Sequence, residues 1–251
     1  MTRHGRLPDD RQIPWLSAQH PLIIGHRGAS AYAPENTLAA FELAVSQGAD
    51  GIELDVRLSA DGWPVISHDP RVDRVTAGTG TVSAFTAAQL RAFELGNGQT
   101  MPMLGDVFDL LGPRVLYNIE LKDFGWRDRG TEAAVASCVK SYRLEDRVLI
   151  SSFNPLSIRR AHRYLPHIPL ALIHFPGWKQ INTLFRGGAA NHPHFSLVNE
   201  TYMAWAYSRN YRVHAWTVDD PGEARRLVSL GVHGIITNKP DVIRQSLQQA
   251  S

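Results

Sequence analysis

Residues 22–59 read LIIGHRGASAYAPENTLAAFELAVSQGADGIELDVRLS. Leu22, Ile23 and Ile24 form an apolar run that ends in Gly25-His26-Arg27-Gly28. Helical spacing follows. Asn36 or Thr37 can cap, Leu38, Phe41, Leu43, Ala44 and Val45 supply an apolar face, and Gly48 stops it. GIELDVRL then alternates as a strand. Strand, helix, strand is the crossover unit of a parallel sheet, because parallel neighbours cannot be joined by a tight turn.

The rhythm repeats to the end of the chain. Strands are expected at 22–26, 51–58, 115–121, 147–152, 169–174, 195–199, 212–218 and 234–237, each followed by a helix or an irregular crossover. Eight such units in 251 residues predict an α/β fold, a (β/α)₈ TIM barrel. The turn ADGW joins GIELDVRLS to PVISHD as a hairpin, so a small insertion of about residues 69–115 follows the second barrel strand. The competing architecture, an open doubly wound sheet, usually needs a Gly-rich phosphate loop after an early strand, and the sequence has none. Residues 1–20 are expected to be a loosely packed N-terminal extension and 21–251 a single domain.

Composition narrows the class. A 43% hydrophobic, 20% charged chain of net charge +2 without a Lys/Arg block does not point to nucleic acid. One cysteine, Cys138, excludes an intramolecular disulfide and a Cys-based zinc site, and its small, apolar neighbours suit a buried helix position. The first 20 residues lack a signal-peptide core, which leads us to expect a cytoplasmic protein. No apolar run is long enough for stable membrane insertion. Oligomeric state is not legible.

In a barrel of this kind the chemistry sits at the C-terminal ends of the strands. Alternation puts Ile52, Leu54 and Val56 on one strand face and Glu53 and Asp55 on the other; Tyr117, Ile119 and Leu121 likewise oppose Asn118, Glu120 and Lys122. With the apolar sets against the outer helices, Glu53, Asp55 and Glu120 converge inward. Three packed carboxylates call for positive charge, and carboxylate oxygens with water suit Mg²⁺ or Ca²⁺, with Mn²⁺ also compatible. His26 and His68 can act as acid and base near neutrality. With the cations Arg27 and Lys122, this set suits phosphate-ester chemistry.

The motifs GHRG…APENT, ELDV, HD after the hairpin strand, TAGTGTV, MPMLGDVFDLL, IELK, WTVDD and GIIT, in this order over about residues 22–242, resemble the glycerophosphodiester phosphodiesterases, in particular bacterial cytosolic members. The resemblance implies a TIM barrel that hydrolyses a small-molecule glycerophosphodiester to sn-glycerol 3-phosphate and an alcohol such as choline or ethanolamine. It assigns His26 and His68 as general acid and base, Glu53, Asp55 and Glu120 as ligands of a divalent metal, and Arg27 and Lys122 as phosphate contacts. A lysophospholipase D-like or sphingomyelinase D-like action on lipids is the alternative, and a binding barrel without chemistry is disfavoured because all seven positions are filled. Water and the substrate's 2-hydroxyl are both open as nucleophile.

Where the family pattern reads DGIITDxP, this chain has His233 and Asn238 in place of the two acids. Neither belongs to the implied acid/base or metal set, so the departure is expected to touch only packing at the last strand or the pocket there. Gly25 and Gly28 are expected to admit the phosphate close to the backbone. Glu35 is assigned to capping, although it could also join the metal's surroundings. Phe153 and Trp216 are candidates for the substrate pocket, each weighed against plain core packing. His174, His192 and His194 lie near strand ends without an individual role, and FPGWKQINTLF reads as an apolar cover beside the mouth.

Overall fold

The computed structural model describes residues 13–123, 125–177 and 188–249. Strands β1 (Leu22–His26), β2 (Gly51–Leu58), β6 (Leu116–Leu121), β7 (Val148–Ser152), β8 (Leu170–His174), β9 (Ala190–Pro193), β10 (Arg212–Ala215) and β11 (Gly234–Thr237) pair in parallel in that order. β1 then pairs with both β11 and β2, which closes the barrel. β3 (Pro64–Ile66) runs antiparallel to β2, with Val56 opposite Ile66 and Leu58 opposite Pro64, as the hairpin reading expects.

Helices α2 (Leu38–Ser46), α4 (Leu104–Leu111), α5 (Thr131–Ser141), α6 (Pro155–Tyr164), α7 (Glu200–Tyr207), α8 (Pro221–Ser229) and α9 (Pro240–Gln248) lie between the strands in sequence. Ile52, Leu54, Val56, Tyr117, Ile119 and Leu121 pack outward against Phe41, Leu104, Phe108 and Val135, the face the alternation assigned to the helices. Short βα loops place a capping side chain at the helix start: Thr37 for α2, Asn154 for α6, Asn199 for α7 and Asp220 for α8. Between β3 and α4, a short helix α3 (Ala87–Arg91) and the pair β4 (Glu94–Gly96) and β5 (Gln99–Thr100) close over their own small core of Val65, Val72, Val82, Leu90, Met101 and Met103.

Two expectations are corrected. The sixth barrel strand is Ala190–Pro193, not 195–199. Ala190 and Asn191 supply the register that joins β8 to β10, while Phe195–Leu197 forms a 3₁₀ turn whose Phe195, with Val198, packs on the outer cluster of Met203, Ala206 and Leu227. The apolar alternation of FSLVN thus serves helix packing. The segment before β1 is also not loose where it is described. Helix α1 (Pro14–Ser17) seats Ile13, Trp15 and Leu16 against the inward side chains Leu22, Ile24, Leu116, Leu149 and Ile236. Trp15 is 1% exposed and its indole donates to the Arg147 carbonyl at 2.8 Å. The parallel sheet's N-terminal end is therefore stoppered by an apolar plug, and the opposite end is left for chemistry. Among the described residues no helix is long and apolar enough to cross a membrane.

Trp15→Ala is expected to lower unfolding free energy by about 3–5 kcal/mol, the cost of emptying a large aromatic site. Urea denaturation reads this directly; a loss below about 1 kcal/mol would mean the plug is dispensable.

Candidate active site

β2 and β6 lie side by side with Asp55 opposite Glu120 and Glu53 opposite Asn118. This register stacks Glu53, Asp55 and Glu120, all buried, so that one oxygen of each lies within 4.8 Å of the others. Burial, then Asp55 and Glu120, push the Glu53 carboxyl well above the usual range. Burial raises Glu120 to about 7 even though Lys122 bonds to it. At Asp55 burial acts in the same direction but is outweighed by Lys122 and Arg27, which hold it below the ordinary value. Glu53 Oε1 is buried with no hydrogen-bond donor among the described residues. An ionised Asp55 beside two carboxyls of raised proton affinity, one with an unpartnered buried oxygen, fits a hard divalent cation.

The cations come from two directions. Lys122, at the end of β6, bonds Glu120 and lies 3.0 Å from Asp55 Oδ1. Arg27 adopts the left-handed region (φ 54°), which turns its backbone N–H onto Glu53 Oε2 at 2.9 Å and brings its Nε to 3.2 Å from Asp55 Oδ2. Gly28, at φ 82°, is required for another reason than the expected one: a Cβ there would sit 2.5 Å from the Ala40 backbone, and one on Gly25 would sit 2.9 Å from the Ala44 Cβ. The glycines let the loop lie against α2, and no approach to a phosphate is needed to explain them.

Asn36 does not cap α2, since Thr37 does. It sits in the left-handed region (φ 59°), which asparagine tolerates, and donates from Nδ2 to Asp55 Oδ2 at 2.8 Å. Glu35 also does not cap; its Oε1 accepts from Arg27 Nη1 at 3.1 Å and from Arg74. Arg74 reaches Asp69 as well, and Asp69 Oδ1 lies 2.7 Å from His68 Nδ1. One arginine of the insertion therefore ties the His68 segment to the Arg27 segment. Arg57, two residues along the same face as Asp55, donates to the His68 carbonyl at 2.7 and 3.0 Å and to the Lys122 carbonyl at 3.0 Å. Sequence reasoning missed Arg57 although the alternation of Glu53 and Asp55 extends to it.

His26 ends β1 with Nε2 4.0 Å from Glu53 Oε2 and Nδ1 2.7 Å from Asn238 Oδ1. Asn238 is thus in direct contact with a candidate acid/base residue, a correction to the expectation that the departure at this position reaches only packing or pocket. The amide is oriented by its neighbours: Nδ2 donates to Asp219 Oδ2 at 2.6 Å, which turns Oδ1 toward His26 and Ser30. His26 Nδ1 then carries the hydrogen and Nε2 faces the carboxylates as a lone pair. Asp69 imposes the same tautomer on His68. Burial, then Arg27, lower His26 to about 4; burial also lowers His68. His233, the other departure, packs away from the site, its ring against Tyr207 and its Nδ1 taking the Val213 N–H at 3.1 Å.

Phe153 and Trp216 meet edge to face at 5.7 Å, and Lys122 Nζ lies 5.8 Å from the Phe153 ring centre. Phe175 and His194 flank Trp216 at 6.0 and 5.4 Å, extending an aromatic wall at the mouth. His192 is buried in the barrel against Asn118 and His214, lowered to about 3 by burial, and His174 bonds Asn191 at 2.6 Å. Most of FPGWKQINTLF falls on residues 178–187, outside the described residues.

The model of the glycerophosphoryl diester phosphodiesterase family matches residues 26–242. A glycerophosphodiester phosphodiesterase of Caldanaerobacter subterraneus subsp. tengcongensis is 36% identical over 234 residues, covering 88% of this chain and 96% of that one. A solved phosphodiesterase of Oleispira antarctica, in complex with the product sn-glycerol-3-phosphate, superposes with a TM-score of 0.84 at 29% identity, covering 91% of this chain and 97% of that one. A putative glycerophosphoryl diester phosphodiesterase of Silicibacter pomeroyi gives 0.84 at 26% identity over 92% of this chain and 94% of that one.

Arg74→Met removes both arms of the link between Asp69 and Glu35. We expect turnover to fall about 10–100-fold, the usual effect of losing a residue that orients a site, with circular dichroism unchanged; Arg74→Lys, able to keep one arm, should fall in between. Wild-type turnover in Arg74→Met would remove Arg74 from any positioning role.

Proposed function

The chain belongs to the glycerophosphoryl diester phosphodiesterase family and is a phosphodiester hydrolase, and on that premise we propose how its residues divide the work. The substrate is a glycerophosphodiester, cleaved to sn-glycerol 3-phosphate and a free alcohol. The observation that carries the reading is the buried Glu53–Asp55–Glu120 cluster with the His26 Nε2 4.0 Å from Glu53. These three carboxylates would hold a divalent ion, Mg²⁺, Ca²⁺ or Mn²⁺, which when bound supplies positive charge for the phosphate's non-bridging oxygens.

Arg27 and Lys122 hold further phosphate oxygens. His26, neutral and backed by an uncharged amide, takes the proton of the nucleophile at Nε2. His68, backed by the Asp69 carboxylate, better supports an imidazolium and delivers a proton to the departing alcohol. Arg57 anchors the backbone beneath His68 and Lys122, so the acid and one phosphate contact move together. The aromatic wall of Phe153, Phe175 and Trp216 supports a second reading, a lipid diester whose chain lies along it; hydrolysis of a lysophospholipid faster than glycerophosphocholine would favour that reading.

The decisive assay follows glycerol 3-phosphate release from glycerophosphocholine and glycerophosphoethanolamine with each metal or with chelator. Activity is expected with metal and lost in chelator, and His26→Ala and His68→Ala should each lower turnover by about 10²–10⁴. No hydrolysis of any diester with any metal would falsify the reading.

Metal binding should also depend on pH. Glu120 is raised to about 7 in the folded chain, so it holds a proton below that value and must release it to bind a cation. A raised carboxyl favours the folded metal-free state at low pH, and that contribution is lost as pH rises through the window from the ordinary carboxylate value to about 7. The rise in melting temperature on adding metal should therefore widen from pH 5 to pH 8 and release protons. A pH-independent shift would remove Glu120 from the ligand set.

A further inference from the structure

The loop between β6 and α5 carries Trp126, Arg127, Asp128 and Arg129; α6 carries Leu156 and Arg159 in its first turns and Arg163 in its last. Trp126 is 90% exposed and Leu156 37%. Both border one groove of about 370 Å³ together with Arg159 and Arg163. Leu156, Arg159 and Arg163 recur at helical spacing, so they share one face of α6. The groove's base is held by buried Arg160, 3.0 Å from Glu132 and 3.7 Å from Asp123. Arg159 and Arg163 on the groove's lining, and the exposed Arg127 and Arg129 of the adjoining loop, form no ion pair among the described residues. With the base's Arg160 balanced by Glu132 and Asp123, the exposed rim is rich in arginine with Asp128 as its acid.

We propose that this patch is a docking surface for an anionic phospholipid bilayer. Guanidinium groups recognise lipid phosphates, while an indole beside an exposed leucine suits the boundary between headgroups and acyl chains. An anion in solution would use the arginines and leave the indole without purpose. The location agrees: Trp126, Leu156 and Arg159 follow the C-terminal ends of β6 and β7, the face on which the candidate site opens, while Arg163 continues the patch along α6. Tyr32, after β1, and Phe175, after β8, are 47% and 49% exposed on that same end. Adsorption through this rim turns the mouth toward the lipid surface with no element inserted across it.

The test is co-sedimentation of the full chain, without substrate, with vesicles of phosphatidylcholine alone or mixed with phosphatidylglycerol. Binding should require phosphatidylglycerol and weaken as salt rises. Trp126→Ala and the pair Arg159→Glu and Arg163→Glu should each lower vesicle affinity, the charge reversals by about tenfold or more, while hydrolysis of soluble glycerophosphocholine is unchanged. That control keeps a misfolded variant from counting as support, and binding measured without substrate separates this proposal from the catalytic reading. Equal sedimentation with neutral vesicles, unaltered binding by the variants, or retention only by a soluble polyanion such as heparin would each overturn it.

Discussion

The site turns on one buried charge, the Asp55 carboxylate. It is 1% exposed and is met by Asn36, Arg27 and Lys122. A carboxylate at that depth is tolerable only with such partners. The partners arrive from two segments: Arg27 and Asn36 from the β1–α2 loop, Lys122 from the end of β6. The left-handed conformations at Arg27 and Asn36 are the local expression of this demand, since both turn the chain to bring donors onto β2. With Asp55 compensated, Glu53 and Glu120 are left beside it with raised proton affinity, a state that a metal ion can exploit.

Around this centre the barrel separates its duties along its axis. The outward faces of β2 and β6 are wholly apolar and bind the helices. Inside, the N-terminal end is filled by Trp15 and aliphatic side chains, the middle by neutral polar groups such as His192, His214 and Asn118, and only the C-terminal end concentrates charge. Burial lowers the proton affinity of the interior His192 and His214, so a histidine near a strand end or in the barrel interior is not by that alone a candidate. What distinguishes His26 and His68 is an acceptor fixed at Nδ1, which leaves Nε2 available. That acceptor is an amide in one case and a carboxylate in the other, and this difference separates their proposed roles.

Much of this was legible in the chain. Strand alternation identified the inward carboxylates, because a period of two survives any packing of the helices outside. The eight-unit rhythm predicted the barrel, and the hairpin was readable from its short turn. The errors share a cause. FSLVN has a strand's apolarity, yet strand identity depends on neighbours, and Ala190–Pro193 had the partners. Trp15 was unremarkable in sequence, because a plug is defined by the hole it fills. Asn238 stands 212 residues from His26 and Arg74 stands 39 from Glu35, so no local pattern could join these pairs.

The sequence alone determined which residue types face inward and which titratable groups gather at strand ends, since both follow from local periodicity and side-chain chemistry. Only the tertiary structure decided what each of those groups touches. Closure of β11 onto β1 brings Asn238 to His26, the insertion carries Arg74 to Glu35, and the β2–β6 register stacks the carboxylates. Proton affinity and tautomer depend on contacts within a few ångströms, and those contacts are set by chain closure rather than by neighbours in sequence.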